Sequence, residues 1–256
     1  MQEKGGTLLP FLKDIRFHWE SVNTKNRFPY NIPALQGLGN IELTGNVTFF
    51  VGENGSGKST LLEGLAIKCG FQLMGGGRAS LVDAHEDHHS LEELITLSWL
   101  PKVKTGFFLR AETFYNYASY IDELAKESPE AYQPYGGQSL HKQSHGEAFL
   151  SLFLNRFHMQ GIYLLDEPEA ALSPQRQLAF LRLIWKLEQS GQAQFIIATH
   201  SPILMAYPGA TILDFDQSPM QETVYENTEH YFITKRFLND RKKFLEELFA
   251  PDNSIR

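Results

Sequence analysis

The sequence predicts an α/β fold with a largely parallel central sheet, antiparallel strands near the N-terminus and a helical insertion. Three observations predict it. The runs 47–51, 161–165 and 194–199 are short, β-rich and apolar at nearly every position, the pattern of strands buried on both faces. Helix-forming stretches alternate with them, as crossovers between parallel strands require. Each run also stops at a turn carrying polar or glycine residues, which places chemistry along one edge of the sheet.

Taken in order, residues 11–20 alternate well enough (Ile15, Phe17, Trp19) for an early strand. Residues 28–33 are aromatic and proline-bearing, hence extended or looped. Residues 40–43 and 47–51 read as two strands around the Gly45-Asn46 turn. A helix over 59–71 sets Leu61, Leu62, Leu65 and Ala66 on one face and ends near Gly70. Residues 74–90, with Gly75-Gly76-Gly77 and the crowded His85, Glu86, Asp87, His88 and His89, are loop-like and lack the spacing of a defined zinc motif. Residues 91–100 read as a helix stopped by Pro101, 105–110 as a buried strand, and 113–127 as a helix capped by Thr113. A second loop follows over 128–141. Beyond it come an apolar helix over 148–158 and a long helix over 174–190 closed by Gly191. Terminal strands at 210–216 and 222–225 precede one last helix, 229–249. This order implies an α/β core of residues 1–74 and 144–256 and a helical insertion of residues 75–143.

Composition narrows the class. The chain has 256 residues, enough for a substantial core, with 42% hydrophobic and 21% charged residues. A formal charge of −7 argues against a uniformly basic nucleic-acid binder. Cys69 is the one cysteine, so no intrachain disulfide forms and a reducing compartment fits. No apolar run approaches the length of a membrane span, and the first 20 residues lack a signal-peptide core. A cytoplasmic protein is the expectation. Arg236, Arg241, Lys242 and Lys243 make the end basic, but Glu246 and Glu247 lie one turn on and suit a salt-bridged solvent face.

The most specific signal is residues 52–60, G-E-N-G-S-G-K-S-T, between a strand and a helix. Gly52, Gly57, Lys58 and Ser59 complete the pattern G-x-x-x-x-G-K-[ST], and Gly55 adds a glycine within it. Glycines let backbone N–H groups of Asn54, Gly55, Ser56 and Gly57 turn inward around phosphate oxygens. The helix N-terminus at Ser59 and Thr60 adds unpaired donors and a positive dipole end. Lys58 reaches the β and γ phosphates, and the Ser59 hydroxyl suits Mg²⁺. The chain is therefore expected to bind a nucleoside triphosphate. Residues 161–168, G-I-Y-L-L-D-E-P, end a buried strand in two carboxylates. Asp166 would hold Mg²⁺, and Glu167 would deprotonate the attacking water. His200, in the turn T-H-S-P, would meet the γ-phosphate or that water. Ser144 and Glu147 form a capping box, S-x-x-E, and Ser144 with the Gly146 amide equally presents a helix N-terminus to an anion.

With these four elements in the chain order 52–60, 144–147, 163–168 and 199–202, the chain resembles the ATP-binding-cassette ATPases, P-loop NTPases in which two heads sandwich two ATP molecules head to tail. The resemblance implies ATP and Mg²⁺ as cofactors. It also implies ATP-driven homodimerisation, with Ser144 and Gly146 touching the partner's nucleotide, Glu167 as catalytic base and His200 as switch histidine. Two departures stand out. The signature reads Q-S-H-G-E rather than L-S-G-G-Q, and Ser173 stands where the family usually has Asp. The E-P-E and T-H-S-P forms are more similar to soluble members of DNA repair, chromosome maintenance and phage defence. The interval from Lys58 to Ser144 is too short for their coiled-coil arm, so the chain looks like a bare head. The family's Gln near the metal is missing; Arg110 or Glu112 stands there. Adenine stacking falls to Phe28 or Tyr30, either of which equally reads as packing.

The expected function is Mg²⁺-dependent ATP hydrolysis by a soluble ATPase acting with a partner protein. The alternative is the nucleotide-binding subunit of a membrane transporter, reaching the membrane through a permease.

Overall fold

The computed structural model describes residues 10–22, 26–73, 91–142, 145–156 and 160–250. Its strands are β1 (Leu12–Phe17), β2 (Asn40–Glu42), β3 (Val47–Val51), β4 (Ile95–Trp99), β5 (Gly106–Arg110), β6 (Gly161–Asp166), β7 (Ala193–Ala198), β8 (Thr211–Asp214) and β9 (Gln221–Thr223). Its α-helices are α1 (Lys58–Cys69), α2 (Phe114–Glu127), α3 (His145–Arg156), α4 (Pro174–Gln189), α5 (Pro202–Met205), α6 (Glu229–Asn239) and α7 (Arg241–Leu248).

The main sheet runs β5-β6-β7-β3-β8-β9, parallel except for the antiparallel edge strand β9. Period-two alternation splits its side chains between two cores. Phe49, Phe107, Leu165, Phe195 and Ile197 face the layer of α2, α3 and α4. Phe50, Phe108, Leu164, Ile196 and Leu213 face α1 and the smaller antiparallel sheet β2-β1-β4. Both faces are covered, which is why these strands read as unbroken apolar runs. One polar residue joins the two sheets. Gln194 on β7 is fully buried, accepts from Leu12 N–H and donates to Leu12 C=O, both at 2.8 Å.

Four expectations are corrected. Strands 40–43 and 47–51 are not a hairpin, because β2 pairs with β1 and β3 enters the main sheet between β7 and β8. Residues 91–100 are not a helix. After a single 3-10 turn at Leu91–Glu93, Ile95, Leu97 and Trp99 alternate along β4, and β1 supplies the partner. Within the interval 75–143, β4 stands beside the edge strand β5 that the sequence already indicates. The last helix is two helices, because the Asp240 carboxylate accepts from Lys243 N–H at 3.1 Å and caps a new start at α7. Thr113 also makes no capping bond; its hydroxyl donates to the Arg110 carbonyl at 3.1 Å. At the end of the chain, Arg236 pairs with Glu247 and Lys242 with Glu246, as a solvated face requires.

Candidate nucleotide site

Sheet register assembles the site. Val51 is paired with Asp214, Phe50 with Ala198, Ala198 with Asp166, and Asp166 with Arg110. The turns after β3, β5, β6, β7 and β8 therefore leave the same carboxyl edge. Ligands of open parallel sheets bind at such an edge.

The loop after β3 is shaped by glycines. Gly52 has φ +136° and Gly57 has φ +106°, conformations that strain any side chain. A Cβ on Gly52 would meet the Asp216 carboxylate at 2.9 Å, and one on Gly57 would meet Ile32 Cγ2 at 2.5 Å. Asp216, which follows β8, also accepts from Glu53 N–H at 2.8 Å and so anchors the loop from outside. Lys58 is 4% exposed and stands inside the loop, donating to the carbonyls of Gly52 (2.7 Å) and Glu53 (2.8 Å). Burial pushes its ammonium below the ordinary lysine range, and the carboxylates of Glu167, Asp216, Asp166 and Glu53 oppose that shift. Asn54 and Gly55 form the exposed crest, while Ser56 and Thr60 are half-buried.

A cavity of about 470 Å³ opens beside the loop, walled by Ser59, Arg110, Glu112, Tyr115, Asp166 and Glu167 among others. At its floor Ser59 Oγ donates to Asp166 Oδ1 at 3.0 Å. A hydroxyl and a 3%-exposed carboxylate are hard oxygen donors that fit Mg²⁺, a cation that takes one or two protein oxygens and completes its shell with water and phosphate. Among the described residues, no group of three or more His, Cys, Asp or Glu is placed to hold a metal. The run 85–89 lies outside the described residues.

Arg110 is the cation of this cavity. Its Nε donates to Asp166 Oδ2 at 2.8 Å, its Nη2 pairs with Glu63, and Glu112 lies 3.4 Å from Nε. Burial works against the guanidinium charge, but the hydrogen bond and charge of Asp166, joined by Glu63, outweigh it and hold the pKa above its ordinary value. Of the two residues left open at the missing Gln position, Arg110 is the one that touches Asp166.

Glu167 is the one non-glycine residue with positive φ among those described, at φ 50° and ψ 51°. Such a conformation costs roughly 1–3 kcal/mol and clusters at functional sites. Two hydrogen bonds impose it. Glu167 N–H continues the β6–β7 ladder to Ala198 C=O at 2.9 Å, and its own carbonyl accepts from Ala170 N–H at 3.0 Å in the 3-10 turn Pro168–Ala171. Burial raises the Glu167 pKa above the ordinary carboxylate value, and neighbouring Asp166 adds to the rise while Lys58 opposes it. His200 Nε2 stands 3.6 Å from Glu167 Oε1.

The remaining candidates sit apart. Gly146 is buried in the first turn of α3, and a Cβ there would lie 2.3 Å from Arg176 Nη1, so that guanidinium covers it. Arg176 also pairs with Glu147 at 3.2 Å. Ser144 lies outside the described residues, and with it the capping box. Ser173 serves as the N-cap of α4, accepting from Arg176 N–H. Tyr30 is 3% exposed within the core and is not available to stack on a base, whereas Phe28 is 66% exposed.

The sequence reading quoted Glu169 within E-P-E without giving it a role, and missed Asp216, Glu63, Arg176 and His230. Glu63 alone had a local signal, since it lies four residues after Ser59 and so shares its helix face. The others reach the site by folding.

Known proteins are similar to parts of this chain. Residues 141–206 match a family model described as an AAA domain, a description that also names the AbiEii toxin and Type IV TA system. Residues 30–98 match a second AAA domain model. Among curated proteins, YusV of Bacillus subtilis (strain 168), named as a siderophore transport system ATP-binding protein, is 26% identical over 172 residues. That match covers 61% of this chain and 62% of YusV, so the chain spans about three fifths of its relative. Among solved structures, a metal-chelate type ABC transporter in an inward-facing conformation aligns at TM-score 0.50 and 19% identity. It covers 86% of this chain and 84% of the transporter chain, which bears on the fold. The SMC head domain from Thermotoga maritima aligns at TM-score 0.46 and 17% identity over 84% of this chain and 98% of its own, a likeness too slight to carry weight.

Proposed function

We propose, for a chain whose motifs, fold and relatives support an ATP-binding-cassette-type P-loop ATPase, that it binds Mg²⁺·ATP at the carboxyl edge of the main sheet and hydrolyses it. The observation that carries the reading is the 3.0 Å bond between Ser59 Oγ and Asp166 Oδ1. It joins the phosphate loop to the strand-end carboxylate, with strained Glu167 as the next residue. Amides from Asn54 to Thr60 and the Lys58 ammonium would surround the β and γ phosphates. Ser59 and Asp166 would hold Mg²⁺, which neutralises developing charge on the transferring phosphoryl group. Glu167, its basicity raised by burial, would accept a proton from the attacking water. His200 would contact the γ-phosphate, Arg110 or Glu112 would adjust the metal side of the cavity, and Phe28 would be the base-stacking candidate.

Two copies would close over ATP head to tail, each presenting Ser144 and, once Arg176 has withdrawn from it, Gly146 to its partner's nucleotide, and hydrolysis would release them. For the pathway, a soluble cytoplasmic ATPase of DNA maintenance or phage defence, working with a partner protein, draws support from the E-P-E and T-H-S-P sequences and from the toxin–antitoxin wording of one family model. The transporter-subunit alternative draws support from YusV. No helix among the described residues is long and apolar enough to cross a membrane.

The test is Glu167→Gln. ATP binding should persist, turnover should fall roughly 10²–10⁴-fold, and sedimentation with ATP should show an accumulated dimer. Wild-type turnover in this variant would remove Glu167 from its role.

A further inference from the structure

His200 has one ring nitrogen engaged and the other without a hydrogen-bond partner. Its Nδ1 lies 2.8 Å from Nε2 of His230, with the two rings 5.0 Å apart and tilted by 57°. Its Nε2 is enclosed and has no hydrogen-bond partner, 3.6 Å from Glu167 Oε1. A single proton lies between the two facing ring nitrogens, so one ring gives and the other receives. If His200 gave from Nδ1, its Nε2 would turn a lone pair toward the Glu167 carboxylate and toward a bound triphosphate. If His230 gives, His200 carries its proton on Nε2, and that N–H points at the anions. Electrostatics favours the second arrangement, because a donor facing negative charge is attracted and a lone pair is repelled.

We propose that His230 is a positioning residue for hydrolysis: its Nε2–H donates to His200 Nδ1 and thereby fixes His200 as the Nε2–H tautomer, aimed at the γ-phosphate. Which nitrogen of a histidine is protonated is set by the bond its other nitrogen makes. The assignment rests on the ATPase reading for its catalytic consequence, but not for the tautomer itself.

The surrounding structure holds His230 in place. It is the second residue of α6, whose start is tied to the His200 turn by an independent contact, Tyr225 OH donating to Pro202 C=O at 2.9 Å. Thr228, the buried residue before α6, donates to Tyr225 C=O at 2.8 Å and links the helix start to that tyrosine. On the other side, His200 N–H donates to Glu169 Oε1 at 2.6 Å, fixing its backbone. Burial, with the Lys58 charge and His230 adding to it, keeps His200 below the ordinary histidine pKa, which suits a neutral ring with a defined tautomer.

Two variants test it: His230→Leu removes the donor, and His230→Gln keeps an N–H donor at similar reach. Long-range ¹H–¹⁵N spectra of the full chain should place the His200 proton on Nε2 in wild type and in His230→Gln. His230→Leu should shift the population toward Nδ1–H. Steady-state ATP turnover should fall on the order of 10–100-fold in kcat for His230→Leu, by analogy with the loss of an orienting partner of a metal-bound histidine. KM should change little, and His230→Gln should regain most of the rate. A His200 proton on Nδ1 in wild type overturns the proposal, as does an unchanged kcat in His230→Leu or a His230→Gln no better than it. Absence of turnover in wild type would instead count against the ATPase reading, and the spectra would still decide the tautomer.

Discussion

Arg110 and Asp166 form an ion pair across β5 and β6, Nε to Oδ2 at 2.8 Å, while the other Asp166 oxygen accepts from Ser59. Both oxygens of the carboxylate proposed to hold Mg²⁺ are thus engaged by the protein, and one of the two partners is a cation.

Removing that cation leaves a buried carboxylate uncompensated. Arg110→Ala should lower unfolding stability by about 2–4 kcal/mol, less than for a fully buried pair because Arg110 keeps 21% of its side chain in solvent. Saturating Mg²⁺ with a non-hydrolysable ATP analogue should narrow the deficit, since a divalent cation supplies the missing charge. Urea titrations with and without the Mg²⁺–analogue complex check this. An equal deficit in both would mean that Asp166 does not face the metal.

Gly57 sits at φ +106° with Ile32 directly beneath it. Gly57→Ala should cost roughly 1–3 kcal/mol from backbone strain alone, and the 2.5 Å approach to Ile32 Cγ2 adds to it. Because the strain lies in the phosphate loop, nucleotide affinity should fall as well. Removing that methyl with Ile32→Ala, scored against the Ile32→Ala background, should lessen the stability cost of Gly57→Ala but recover little of the affinity. Full recovery of both would place the effect in packing rather than in loop conformation.

Glu169 provides a pH test of the turn beneath His200. Burial raises its pKa above the ordinary carboxylate value, and the bond from His200 N–H opposes the rise only partly. The folded state therefore holds this proton more tightly than the unfolded chain. Below the unfolded pKa both states are protonated and the group is neutral in its effect. As pH climbs through the window between the unfolded and the raised folded value, stability falls, and the loss is complete above the latter. Glu169→Gln keeps an oxygen acceptor without the charge. It should unfold at higher denaturant than wild type at pH 7, with the advantage shrinking toward pH 4. A constant difference across that range would exclude Glu169 as the source.

Three sequence elements at the sheet edge, residues 52–60, residues 161–168 and the His200 turn, were legible because each is contiguous. A glycine-rich turn between strand and helix, or an apolar run ending in Asp-Glu-Pro, carries its chemistry within a few residues. Misreadings arose where the deciding partner is distant. Residues 91–100 present Leu91, Leu94 and Ile95 at helical spacing, yet β1 offers Ile95, Leu97 and Trp99 an edge to pair with. The Gly45-Asn46 turn resembles a hairpin, but its two strands join different sheets.

By itself the sequence determined that a phosphate loop, a strand-end pair of carboxylates and a histidine turn lie on one α/β core, because local backbone preference and burial patterning are written residue by residue. Only the tertiary structure decided that Arg110 holds Asp166, that Arg176 covers Gly146 and that His230 faces His200. Those pairings depend on strand order and helix placement, which are settled by packing two buried faces at once, and no short stretch of chain encodes that.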